Sequence, residues 1–175
     1  MESQGEQDPM IYYRCFMRKA NGEQDMTSEF YRNILIATDG SKNTQRAISY
    51  GIEIAKLSGA TIHALYVVDT SSFSSIPMDA GWEAMYAILR GEGEKAVFEV
   101  KELGEAAGTE VREVILEGHP SSEIINFADN NNIDLIVMGT LGKTGLDRFL
   151  MGSVAEKVIR GSKVPVLVVR GEEQS

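Results

Sequence analysis

The sequence predicts an α/β fold: a doubly wound, five-stranded parallel sheet with helices on both faces. From residue 31 onward, short apolar runs alternate with longer stretches of helical periodicity, which is typical of βαβ units. Two of these runs, "NILIAT" (33–38) and "IDLIVMG" (133–139), are almost continuously apolar, as expected for strands covered on both faces. The 175 residues suit one domain with a sizeable core. We assume the strand order 3-2-1-4-5, which places the first and fourth strands side by side.

The first half of the pattern predicts two strands and two helices. "NILIAT" is the first strand, and the turn "DGS" after it provides Ser41 as a candidate helix N-cap. The next stretch, "TQRAISYGIEIAKLSG", predicts a helix that ends at Gly59. The residues expected on its core face are Ala47, Ile48, Ile52, Ala55 and Leu57. "TIHALYVV" (61–68) is the second strand, and a long helix follows over about 82–107, weakened by Gly91, Gly93 and Gly104.

The second half predicts three strands and two helices. "TEVREVILEG" (109–118) alternates as a third strand should, and "HPSSEIINFADNN" (119–131) is a helix with Pro120 in its first turn. The fourth strand, "IDLIVMG", is followed by a loop and a short helix, "SVAEKVIRGS" (153–162). "VPVLVVR" (164–170) is the last strand.

Residues 1–30 do not follow this pattern, so we divide the chain into an N-terminal extension, 1–30, and one domain, 31–172. The extension is polar apart from "MIYYRCFM" (10–17). Two interpretations are open: a partly disordered tail, and an interaction arm that docks on a partner subunit. Met26 is a second candidate for the natural start, which would make the extension incidental.

The composition excludes several classes of function. The net charge is −9, from 26 acidic and 17 basic residues, which argues against binding to nucleic acids or to anionic membranes. A nucleotide remains compatible, since a few backbone N–H groups can hold an anion locally. Cys15, the single cysteine, allows no internal disulfide. We find no apolar run of the ~20 residues that a membrane span needs, and the polar start is not a signal peptide, so we expect a cytoplasmic protein.

Unusual loops follow the first and fourth strands. Ligands of doubly wound sheets bind beyond the carboxyl ends of the strands, where the winding direction reverses, and with our order this point lies between those two strands. "TDGS" ends the first and "GTLGKTG" ends the fourth. The second segment is not a Walker A loop. In that motif four residues separate the first glycine from the Gly-Lys pair, whereas here only two residues separate Gly139 from Gly142.

The longer segment "GTLGKTGLDRFLMGSV" predicts a split phosphate site. Gly139 and Gly142 let the backbone approach an anion and adopt positive φ. Gly152 and Ser153 begin a helix, whose unpaired N–H groups and dipole favour negative charge. The alternative is that the glycines only turn the chain and the Gly-Ser pair only caps the helix.

This segment resembles the G-x2-G-x9-G-[S/T] motif of the universal stress protein family, in its ATP-binding branch. "RNILIATDGS", "EGHP" and "PVLVVR" are also similar to that family, and the resemblance covers about residues 31–170. It implies an adenine nucleotide alpha hydrolase-like fold, with ATP as the ligand and Mg²⁺ or Mn²⁺ on the triphosphate.

The resemblance also implies roles for ten residues and a mode of assembly. Those that would line the base and ribose are Ala37, Thr38, Asp39, Met138 and Gly139, with Asp39 accepting hydrogen bonds from the ribose hydroxyls. Val67 would read the adenine edge through its backbone. Those that would hold the phosphates, largely by backbone N–H groups, are Gly142, Gly152, Ser153 and Val154. Many members of the family dimerise through their last strands, which implies a homodimer through Val164–Arg170.

Several of these side chains have a second interpretation. Asp39 could instead form an Asx turn or a helix cap before Ser41. Lys143 and Arg148 could reach phosphates, or they could be solvated loop charges. Asp69 is expected to form a turn, and His63 to pack or lie at the surface.

Together these patterns predict an ATP-binding regulator or switch that is not an enzyme. The sequence contains no carboxylate pair or Ser-His arrangement that suggests a general base, although slow ATP hydrolysis is compatible with it. One alternative is an enzyme that adenylates a substrate, but "TDGSKNT" departs from the Ser-Gly-Gly-x-Asp-Ser type of loop such enzymes use. The other is a dimeric interaction module that binds no nucleotide.

Overall fold

The computed structural model describes residues 31–70, 80–142 and 151–171. Within these ranges the chain forms five strands and four α-helices. The strands are β1 (Asn33–Ala37), β2 (Thr61–Asp69), β3 (Val111–Gly118), β4 (Leu135–Gly139) and β5 (Val166–Val169). The helices are α1 (Gln45–Ser58), α2 (Ala80–Ala106), α3 (Pro120–Asn130) and α4 (Ser153–Gly161). None of the described helices is long and apolar enough to cross a membrane.

The sheet confirms the predicted fold class and strand order. Its five strands lie in the order β3-β2-β1-β4-β5, and each neighbouring pair is parallel. At the carboxyl end of β1, Ala37 lies between Leu65 of β2 and Met138 of β4. The winding therefore reverses between β1 and β4, at the point where the sequence predicts a ligand site.

Two apolar layers cover the two faces of the sheet. On one face, Ile34 and Ile36 of β1 join a core cluster with residues of α1 and α2. On the other face, Leu35 and Ala37 join a second cluster with residues of α3 and α4. Since successive strand residues point to opposite faces, only a continuously apolar strand satisfies both layers.

Helix α1 and the turn before it differ from the prediction in two details. Leu57 is 73% exposed rather than core-facing, because it lies about 200° around the helix from the buried Ala55. Ser41 does not cap the helix with its side chain, since the chain first makes a 3-10 turn over Lys42–Thr44. Thr44 Oγ1 donates to the Ser41 carbonyl at 2.8 Å instead. The predicted stop at Gly59 is confirmed, with φ of 71°.

Two glycines of α2, Gly93 and Gly104, allow the helix to approach the sheet. The helix runs unbroken from Ala80 to Ala106 despite them. A Cβ on Gly93 would lie 2.6 Å from Cδ1 of Tyr66, and one on Gly104 would lie 2.4 Å from Cγ2 of Val111. Their low helix propensity is therefore offset by packing that no larger residue permits.

His63 packs in the interior rather than at the surface. It is 7% exposed, its ring centroid lies 5.7 Å from that of Phe127 in an edge-to-face arrangement, and its Nε2 lies 3.3 Å from Asn33 Oδ1. Burial lowers the pKa of His63, and the nearby positive charge of Arg112 lowers this pKa further, against a smaller opposite effect of Glu110. The neutral, packed form of the ring is thus favoured.

Candidate functional site

A cavity of about 510 Å³ lies beyond the carboxyl ends of β1 and β4. All ten residues that the sequence proposes for binding line this one cavity. They are Ala37, Thr38, Asp39, Val67, Met138, Gly139, Gly142, Gly152, Ser153 and Val154. The fold therefore brings together residues that lie up to 117 positions apart, from Ala37 to Val154.

The turn after β1 forms one wall of the cavity. Thr38 N–H donates to the Leu65 carbonyl at 3.0 Å and continues the sheet one residue beyond β1. Ser41 N–H then donates to Asp39 Oδ1 at 3.0 Å, and Gly40 N–H donates to Thr38 Oγ1 at 3.1 Å. The Asx turn considered for Asp39 is therefore present. It holds the carboxylate at the cavity wall, so the turn and a role in binding are compatible.

Another wall contains the amino end of α4. The first helical hydrogen bond runs from Glu156 N–H to the Gly152 carbonyl at 3.0 Å. The N–H groups of Ser153, Val154 and Ala155 precede it, so they have no acceptor within the helix. The N-cap residue, Gly152, has no side chain to cap them. Three donors and the positive end of the helix dipole therefore lie at the cavity, where an anion would be stabilised.

The backbone N–H of Gly152 differs from its role in the predicted phosphate site. Its N–H donates to the Thr140 carbonyl at 2.8 Å, so it is not free to bind a phosphate as the sequence suggested. This bond joins the two ends of the segment between β4 and α4. Glycine suits this position, since a Cβ would lie 3.1 Å from the Thr140 oxygen and would push that backbone carbonyl away.

The cavity glycines serve close approach rather than an unusual backbone conformation. The expected positive φ at Gly139 and Gly142 is wrong, because neither is among the described positive-φ residues. A Cβ on Gly142 would lie 2.8 Å from Asp39 Oδ2, and one on Gly139 would lie 3.2 Å from the carbonyl oxygen of Asn43. The turn after β1 therefore lies so close to Gly139 and Gly142 that a side chain at either position would displace a neighbouring atom.

Other lining residues were not predicted from the sequence. Asp69 and Tyr66 come from the end of β2, and Pro120 and Ile124 from the first turns of α3. The rule that ligands bind at strand ends could have indicated them. Leu89 reaches the cavity from the middle of α2, which depends on tertiary packing that sequence periodicity does not specify. Lys143 and Arg148, which we considered as phosphate ligands, lie outside the described residues.

Comparison with known proteins identifies the family. The universal stress protein family matches residues 30–170. Universal stress protein MJ0531 of Methanocaldococcus jannaschii is 45% identical over 150 residues, which span 86% of this chain and 85% of that protein. Among solved structures, hypothetical protein MJ0577 is 31% identical with a TM-score of 0.73, over 83% of this chain and 99% of the other. A universal stress protein solved in complex with cAMP is 26% identical with a TM-score of 0.62, over 82% of this chain and all of the other. This chain belongs to the universal stress protein family.

Proposed function

We propose that the protein binds ATP in this cavity and acts as a nucleotide-dependent regulator in the stress response. The observation that carries the proposal is that the amino end of α4, where the N-cap residue Gly152 has no side chain to cap the helix, lines the same cavity as Asp39. A nucleotide has an anionic end that suits the helix donors and a sugar whose hydroxyls suit a carboxylate acceptor. The relative solved with cAMP supports an adenine nucleotide as the class of ligand.

Each of the ten residues proposed from the sequence then has a role in binding. Asp39 accepts from the ribose hydroxyls, and the backbone of Val67 contacts the adenine edge. The residues that line the base and ribose are Ala37, Thr38, Met138 and Gly139. The residues that hold the phosphates are Gly142, Ser153 and Val154, with Gly152 allowing close approach rather than donating its N–H.

A divalent cation would accompany the triphosphate. The charged side chains in the described lining are Asp39 and Asp69, which repel phosphates. The described residues contain no group of three or more side chains suited to a metal ion. Mg²⁺ or Mn²⁺ would therefore be held mainly by the phosphate oxygens, as is usual for magnesium bound with a nucleotide.

We further propose binding without efficient turnover. The polar side chains of the described lining belong to Thr, Ser, Tyr and Asp, with no histidine, cysteine or lysine among them. Asp39 already accepts a hydrogen bond from Ser41 N–H, which suits a fixed acceptor better than a proton carrier. The competing enzyme function, substrate adenylation, would release pyrophosphate.

The first test is whether the purified full-length protein carries and binds the nucleotide. We expect mass spectrometry of the denatured protein to detect released adenine nucleotide. Magnesium ATP at a hundred times its dissociation constant should stabilise folding by about 2.7 kcal/mol, measured by chemical denaturation. No released nucleotide and no stabilisation would favour the interaction module instead, and pyrophosphate release with candidate substrates would favour the enzyme.

We also propose a homodimer through Val164–Arg170. β5 is an edge strand whose residues Val166 and Val168 are only partly buried. The carbonyls of Pro165 and Val169 accept hydrogen bonds from the N–H groups of Ile136 and Thr140, so they point toward β4. Because the backbone groups of successive strand residues point in opposite directions, the N–H and C=O of Val168 point away from β4. Pairing with a second copy would satisfy them.

Removing a backbone N–H of β5 that faces away from β4 tests this dimer. Val168→Pro removes one N–H that faces away from β4, and an edge strand tolerates proline. Light scattering should show a dimer for the wild type and for Val168→Thr, which keeps the N–H, and a shift to monomer for Val168→Pro. A monomeric wild type would overturn the proposal.

A further inference from the structure

Asn43 connects the turn after β1 to the segment after β4, and neither the motif nor the sequence periodicity indicates this contact. It lies in the 3-10 turn Lys42–Thr44, four residues after Asp39. Its side-chain Nδ2 donates to the carbonyl of Gly142 at 2.9 Å, across 99 residues of sequence. This bond is partly buried.

The backbone of Asn43 also lies against two further glycines. Its carbonyl oxygen would be 3.2 Å from a Cβ on Gly139 and 3.2 Å from a Cβ on Gly171. Asn43 therefore sits where the turn after β1, the segment after β4 and the segment after β5 meet.

We propose that Asn43 is a positioning residue that holds Gly142 in place for the nucleotide phosphates; this inference rests on the proposed function. Its amide keeps Gly142 against Asp39, whose Oδ2 would lie only 2.8 Å from a Cβ on Gly142. The same bond turns the Gly142 carbonyl toward Asn43, so that its partial negative charge does not face the phosphates.

The inference requires a hydrogen-bond donor, not only a side chain of this size. Aspartate has nearly the shape of asparagine, but an ionised carboxylate only accepts hydrogen bonds. In Asn43→Asp two acceptors would face each other, and the new negative charge would join Asp39 and Asp69 beside the cavity. Asn43→Gln keeps the donor on a longer side chain and should recover part of the binding.

The experiment measures the affinity of full-length variants for magnesium ATP and for adenosine by calorimetry. Losing one neutral hydrogen bond corresponds to about a tenfold loss in affinity, so we expect Asn43→Ala, which adds no charge, to weaken magnesium ATP by about tenfold and Asn43→Asp by at least as much. Adenosine has no phosphate and should lose about twofold or less. The matched control is Asn126→Asp, an exposed residue of α3 that receives the same charge and should bind like the wild type.

The outcomes separate this inference from the proposed function. A wild type that binds neither ligand overturns both. A wild type that binds, with Asn43→Asp equal to it, overturns the positioning role alone. Equal losses for magnesium ATP and adenosine would mean that Asn43 supports the whole cavity and not the phosphate side. If Asn43→Asp weakens magnesium ATP but Asn43→Ala binds like the wild type, the new charge and not the lost donor lowers the affinity, and the positioning role is overturned.

Discussion

Replacing Gly142 by valine is expected to lower the affinity for magnesium ATP by about a hundredfold while leaving the protein folded. The new Cβ would lie 2.8 Å from Asp39 Oδ2, which is closer than such atoms approach, so one of them must move. The atom in conflict is the end of an Asp side chain, which can rotate if it gives up its hydrogen bond with Ser41 N–H, a loss of about 0.5–1.5 kcal/mol in folding free energy. The rotation removes the carboxylate from its place at the cavity wall, and the valine methyl groups occupy space next to it.

The expected loss follows from the energy of overpacking. Inserting side-chain carbons into a packed site costs about 1–3 kcal/mol, and the upper end corresponds to about a hundredfold in affinity. Calorimetry measures the affinity, and urea unfolding measures the stability. Gly91→Ala is the control, because a Cβ there meets no atom within 4 Å. It should bind normally and gain up to about 1 kcal/mol of helix stability.

Normal binding by Gly142→Val would contradict the assignment of this cavity. A variant at Gly152 would be less informative, because its Cβ would meet the backbone carbonyl of Thr140 at 3.1 Å. Backbone cannot rotate away as a side chain can, so that variant would lose both stability and binding. Gly142 is therefore the position that separates the two effects.

The fold was predictable because its main determinants are local. A continuously apolar run such as Leu135–Gly139 has few alternatives to a strand buried on both faces, and the alternation of strands and helices then favours a parallel sheet. The position of the site follows from the topology, since the loops after β1 and β4 must meet where the winding reverses. Ten proposed residues thus line one cavity.

The details that sequence reasoning missed depend on three-dimensional neighbours. The motif spacing treats Gly152 as a donor, but its N–H is bonded to Thr140, a contact that exists only once the segment returns to β4. Nothing in the pattern around Asn43 indicates a bond to Gly142, because the partner lies 99 residues away. Leu57 was predicted on the core face because it is an apolar residue of a helix. It is exposed in the structure, as many apolar residues of folded proteins are.

The second large effect is expected from Ile36→Ala, which should lower the free energy of unfolding by about 2–5 kcal/mol. Ile36 is fully buried in β1, between β2 and β4, and its side chain packs under α1. Against a typical total of about 5–15 kcal/mol, this is a large fraction of the stability. Urea unfolding measures it, and Ile36→Val, with an expected loss of about 0.5–1.5 kcal/mol, is the control.

A second substitution at Gly51 tests whether the loss arises from the space between β1 and α1. In the wild type, a Cβ on Gly51 would lie 2.6 Å from Cδ1 of Ile36 and 2.8 Å from Cγ1, so Gly51→Ala should be destabilising. Ile36→Ala removes both of these atoms, and the same alanine then fills part of the cavity and favours the helix. The double variant should therefore be more stable than the sum of the single effects predicts, by about 1–3 kcal/mol. Simple additivity would contradict this packing.

Because Ile36 faces the layer opposite to that of Ala37, the folded fraction of each variant should bind magnesium ATP with unchanged affinity.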